Sequence, residues 1–182
     1  PVYSAYFQSQ LCLAILKTCL KYGPVALAQP ENYEARANLM WASSWAINDT
    51  LKLGNEVGWS VHPMEHELSA YYDITHGVGL AILTPHWMRA VLSEETLPRF
   101  TALGTELFGL DPALPPMELA ERTIDAVSSF LFETLGLPST LREVGIDDTH
   151  LEEMAKNCNA RLRLGFVPLT VEQTLAIYRA AL

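Results

Sequence analysis

Positive charge is scarce in this sequence. Twelve Lys and Arg stand against twenty-one Asp and Glu in 182 residues, a formal charge of −9. A surface of that sign repels a phosphate backbone, which needs clustered cations, so nucleic acid is not an expected partner. Cysteine is scarce too. Cys12, Cys19 and Cys158 are an odd set, and they predict buried, reduced thiols in a cytoplasmic protein rather than a disulfide framework. No apolar stretch approaches the roughly 20 uncharged residues needed to cross a bilayer, so no transmembrane segment, signal peptide or membrane partner is expected. Also missing is any glycine-rich strand-turn-helix able to cradle a pyrophosphate. A nucleotide, if one binds, takes most of its site from another domain.

What remains is a chain rich in apolar residues, 49% against 18% charged, enough for a sizeable core and opposed to disorder. Its length suits one domain, residues 1–182. It begins at Pro1 and reaches its first methionine only at Met40, which reads as a piece of a longer polypeptide.

Apolar residues recur at three- and four-residue spacing and no alternating run makes a strand, so the fold class is all-α, a helical bundle-like domain. A first helix is expected over residues 4–21, stopped by Gly23-Pro24, and a second over 31–53, closed by Gly54. After a loop at 55–60, Pro63 fits the start of a third helix running to Tyr72. Thr75 is placed to cap a fourth from His76, which Pro85 should kink or interrupt, with Thr84 capping the continuation. Further helices are expected over 96–108, 116–135, 147–157 and 170–182, punctuated by Gly136, Pro138, Gly145, Gly165 and Pro168.

His62, His66, His76 and His86 fall within 25 residues of one another. His62 and His66, four apart, share one helix face and could converge on one ion, while His76 opens the next helix and could fold back to the same point. Neutral imidazole is the commonest ligand for zinc, iron and related ions. An isolated H-x-x-x-H pair also arises by chance on exposed helices, so spacing alone leaves metal binding and simple hydrogen bonding both open. His86 and His150 have no partner at ligand spacing and read as packed or exposed. Glu65, Glu67 and Asp73 are candidate ligands, bases or acceptors for the imidazoles, although solvation is the default for such residues. Trp41 and Trp45, four apart, read as core rather than as pocket wall.

The run His62-Pro63-Met64-Glu65-His66-Glu67-Leu68-Ser69-Ala70-Tyr71-Tyr72-Asp73-Ile74-Thr75-His76-Gly77, followed by Gly79-Leu80-Ala81 and Pro85, closely resembles the signature of the iron-containing alcohol dehydrogenases. Asn32-Tyr33, the stretch Arg36-Ala37-Asn38-Leu39-Met40-Trp41-Ala42, Leu135-Gly136-Leu137-Pro138 and the closing Leu169-Thr170 to Ile177-Tyr178 extend the likeness over nearly the whole chain. It is most similar to the butanol dehydrogenase branch. In that family an N-terminal α/β domain binds NAD or NADP, and a helical C-terminal domain binds Fe²⁺ or sometimes Zn²⁺.

The resemblance therefore implies the second domain of an enzyme interconverting primary alcohols and aldehydes, homodimeric when complete. It assigns metal ligation to His62 and His76, displacing the His62 and His66 pair that spacing suggests. His66 matches a histidine beside the metal and the nicotinamide, a catalytic and cofactor-contacting position that assists proton transfer. The family's two earlier ligands, in a D-x-x-x-H run, have no counterpart here, nor does its glycine-rich phosphate loop. A chain without them is expected to be inactive alone. The alternatives in other classes are a non-enzymatic helical metal-binding domain and a domain that only docks a partner.

Overall fold

The computed structural model describes residues 5–53, 58–162 and 166–182. Among them are eight α-helices and no strand: α1 (Tyr6–Ala28), α2 (Tyr33–Ile47), α3 (Val61–Tyr72), α4 (His76–Val91), α5 (Leu97–Phe108), α6 (Pro116–Ser129), α7 (Leu151–Leu162) and α8 (Val171–Ala180). The all-α expectation holds. The expected stop at Gly54, the first half of the 55–60 loop, Gly165 and the start at Ser4 lie outside the described residues.

The core gathers on the inward stripes of α3, α4, α6, α7 and α8, with Met64, Leu68, Ile82, Leu83, Ile124, Met154 and Tyr178 fully buried. Each large apolar side chain so buried stabilises the fold by about 1.5–3 kcal/mol. One close approach sets a helix spacing and one capping box fixes a helix start. At Gly104 a Cβ would stand 2.1 Å from Oγ1 of Thr123, so α5 and α6 meet backbone to side chain. Thr170 caps α8 by accepting from the Gln173 amide, and Gln173 returns the bond to the Thr170 amide.

Several boundaries differ from expectation, each for a local reason. α1 does not stop at Gly23-Pro24 but carries Pro24 inside the helix to Ala28. Its lateral packing against α2 outweighs one lost backbone bond and a cost of about 3 kcal/mol. α4 runs unbroken through Pro85. Thr84 does not cap a new helix there; its hydroxyl donates to the Leu80 carbonyl at 2.7 Å. Thr75 occupies the N-cap of α4, but its side chain makes no capping bond. Pro63 sits third in α3, where an amide would have no helical partner.

The expected helix over 116–135 is α-helical only to Ser129 and then widens into a π turn, Phe130–Thr134, closed by Gly136 at φ 66°. α7 begins at Leu151, because Asp147 instead closes a turn by accepting from the Thr149 amide.

Two expectations about burial are corrected. Trp41 and Trp45 stack edge to face at 6.2 Å, yet Trp41 is 67% exposed and so not core. Cys158 is buried, while Cys12 and Cys19 are only half-buried; all three thiols are free. α1 is also long and apolar enough to cross a membrane by length and composition, against the expectation that no such stretch exists. Here it packs beside α2 and α5.

Candidate metal centre

α3 carries its residues on two faces. Val61, Met64, Glu65, Leu68 and Tyr72 fall on the inward stripe, leaving His62 and His66 one turn apart toward solvent. The helix ends at Asp73, whose left-handed backbone (φ 51°, ψ 39°) turns the chain sharply while its amide still bonds the Ser69 carbonyl. Three residues later His76 opens α4, which packs against α3. The turn delivers His76 to the histidine face.

Three imidazoles meet there. Ring centroids are 5.3 Å apart for His62 and His76, 5.5 Å for His66 and His76, and 6.0 Å for His62 and His66. Imidazoles bound to one ion at about 2.1 Å have centroids roughly 5 Å apart, so the spacing fits a shared divalent ion. The ligand-capable atoms of Glu65, His66 and His76 also lie within 4.8 Å of one another. Trp59 stands edge-on to His62 at 4.5 Å and forms one side of the cluster.

Burial, then the neighbouring His76 and His66, lower the pKa of His62, with Glu65 acting the other way. A lowered histidine pKa keeps the ring neutral, the form that coordinates a metal. His66 is exposed and His76 half-open, with 47% of its side chain accessible.

Glu65 is the residue that the sequence reading misjudged. Grouped with Glu67 and Asp73 as solvated, it is instead fully buried. Its Oε1 accepts from the Ser69 hydroxyl at 2.5 Å, and its Oε2 lies against Nδ1 of His76. The missed signal was its register with Met64 and Leu68 on the inward stripe. Gly79 makes the room: a Cβ there would stand 2.8 Å from Cγ of Glu65 and 3.0 Å from Ile74.

Of the other acidic candidates, Glu67 accepts from the Asn157 side chain at 3.2 Å and Asp73 is exposed. Neither joins the histidines through any recorded contact. His86 is partly buried on α4, where burial and Arg89 lower its pKa, and His150 packs against Tyr71 at 4.9 Å. Both stay outside the cluster.

The model of the Fe-containing alcohol dehydrogenase family, C-terminal part, matches residues 2–182. NADH-dependent butanol dehydrogenase A of Clostridium acetobutylicum is 50% identical over 181 residues, 98% of this chain and 46% of that protein. The NADPH-dependent aldehyde reductase YqhD of Escherichia coli is 32% identical over 183 residues, again 46% of its length. Among solved structures, substrate- and cofactor-free YqhD superposes with a TM-score of 0.89 at 29% identity, covering 100% of this chain and 48% of that one. NADH-dependent butanol dehydrogenase A of Thermotoga maritima gives 0.86 at 30% identity, covering 96% and 46%. The chain thus spans about half the length of the relatives it matches. A whole-chain family match and a tight superposition on two such structures lead to one assignment: this chain belongs to the Fe-containing alcohol dehydrogenase family and corresponds to its C-terminal, helical part.

Proposed function

We propose that this chain is the metal-holding half of an NAD(P)-dependent alcohol dehydrogenase that interconverts primary alcohols and aldehydes, working with a separate coenzyme-binding domain. The observation that carries the reading is the convergence of His62, His66 and His76 at 5.3–6.0 Å. The relatives named as butanol dehydrogenases and as an aldehyde reductase support the substrate class. The same reading includes a homodimer and a cytosolic setting.

His62 and His76 hold the ion, each through one ring nitrogen, with burial keeping His62 neutral. When bound, Fe²⁺ or Zn²⁺ supplies Lewis acidity at the substrate oxygen, and NADH or NADPH supplies the hydride. His66, exposed one turn beyond His62, would face the nicotinamide and would carry a proton to or from the substrate oxygen at a ring nitrogen. Trp59 walls one side of His62. Alcohol oxidation by the enzyme that joins this chain to its coenzyme domain, followed in His62→Ala and His76→Ala, tests the reading. Loss of bound metal and of turnover is expected; full activity in both variants overturns it.

A second reading rests on the Glu65, His66 and His76 group, which could hold an ion without ligands from elsewhere, as a non-enzymatic metal-binding domain would. It requires that His66→Ala release the metal and that His62→Ala retain it.

A further inference from the structure

We propose that Glu65 is a positioning residue for the metal centre, its buried carboxylate fixing the His76 ring through Nδ1 so that Nε2 is left as the ligand atom. The inference rests on the reading of His62 and His76 as ligands and adds a residue that acts through one of them.

A carboxylate with no exposed surface is costly to bury and persists only where its oxygens are engaged. Glu65 has 0% exposure, and its two oxygens have separate duties. Oε1 is held by the Ser69 hydroxyl at 2.5 Å, one turn further along α3, and Oε2 meets Nδ1 of His76 across the α3–α4 corner. Oε2 has no hydrogen-bond partner elsewhere in the core and its ion-pair contact is with Nδ1 of His76, so the imidazole is the group placed to engage it.

The backbone is shaped around the same contact. Gly79 lies one turn after His76, and any side chain there would press on Cγ and Oε1 of Glu65 at 2.8 and 3.0 Å. Three positions, Ser69, His76 and Gly79, therefore converge on one carboxylate, whereas core packing alone would be met by an apolar residue at position 65. Because one oxygen is tied to Ser69 and the other to the imidazole, Glu65 is placed as the acceptor behind a ligand rather than as a ligand. An ionised carboxylate only accepts, so it fixes the Nδ1–H form of the ring and leaves the Nε2 lone pair free.

The test is Zn²⁺ affinity, measured on the metal-stripped enzyme by competition with a chromophoric chelator, together with the His76 tautomer from ¹⁵N NMR of the imidazoles. In Glu65→Gln, which keeps the side-chain volume, we expect affinity to fall roughly 10- to 100-fold and His76 to lose its single Nδ1–H form. A merely structural role would not move the tautomer. Ser69→Ala, which frees Oε1 without touching the buried charge, should weaken Zn²⁺ several-fold and gives the answer if Glu65→Gln does not fold.

Wild-type affinity and tautomer in both variants overturn the proposal, while zinc loss in His62→Ala and His76→Ala leaves the metal site itself standing. Wild-type affinity in those two histidine variants overturns both. Zinc released by His66→Ala but retained by His62→Ala makes Glu65 a ligand and overturns its positioning role.

Discussion

The Tyr178 hydroxyl donates to the Met64 carbonyl at 2.7 Å, joining residues 114 positions apart. The bond ties α8, the last helix, to α3, the helix that carries His62 and His66. Both residues are fully buried, and burial pushes the phenol far above its ordinary pKa, so it stays a donor. Tyr178→Phe removes the donor and leaves a buried carbonyl short of a partner. Chemical denaturation should show a loss of about 1–2 kcal/mol; an unchanged midpoint would mean that the bond carries no net stability.

Gly104 and Thr123 set the α5–α6 seam. A methyl at Gly104 would meet Oγ1 of Thr123 at 2.1 Å, and that hydroxyl is itself committed to the Phe100 and Leu119 carbonyls. Gly104→Ala should cost about 1–3 kcal/mol by overpacking. Adding Thr123→Ala should recover part of that loss, because the two sites share one contact. A double variant with strictly additive losses would show that the clash is not the cause.

The cysteines should differ in reactivity. Burial raises the Cys158 thiol to about 11, so at pH 8 it is almost wholly protonated, and the thiolate is the reactive form. Cys12 and Cys19 are also raised by burial but are half-open. Mass spectrometry after iodoacetamide treatment of the native protein should find Cys12 and Cys19 modified well before Cys158. Equal labelling would contradict the packing of α7 against α3 and α8.

Much of this fold was legible because helices announce themselves by spacing. Both α3 boundaries and the start of α4 came within two residues of expectation, on either side of the turn at Asp73-Ile74-Thr75. Proline misled at Pro24 and Pro85, since its local cost was judged without the packing that outweighs it. The histidines were found from spacing and resemblance. Glu65 stood among the candidate acceptors, but its burial was not legible, because it depends on Ser69 and on Gly79, which becomes its neighbour only once α4 folds against α3. Trp41 failed for the opposite reason: an apolar pair at helical spacing predicts a shared face but does not say whether that face is covered.

His66 should separate chemistry from metal holding. His66→Ala in the complete enzyme should keep the metal yet lower kcat by about 10²- to 10⁴-fold, the usual contribution of a positioned proton-transfer group. Metal content and steady-state rates on a primary alcohol provide the check. Metal loss in this variant would instead make His66 a ligand.

A polypeptide of these 182 residues alone should turn over no alcohol, since it has no glycine-rich phosphate loop and no D-x-x-x-H run. Nicotinamide absorbance at 340 nm, followed with butanol, NAD or NADP and added Fe²⁺ or Zn²⁺, should stay flat. Sustained turnover would show that these helices hold both the coenzyme and a complete ligand set.

In the proposed enzyme His62 and His76 hold the catalytic ion. X-ray absorption at the zinc edge after Zn²⁺ loading, compared among wild type, His62→Ala, His66→Ala and His76→Ala, reads that coordination shell. The His62 and His76 variants should lose zinc, with any zinc that remains showing one imidazole fewer, while the His66 variant should keep the wild-type shell. A shell unchanged by both His62→Ala and His76→Ala would contradict it.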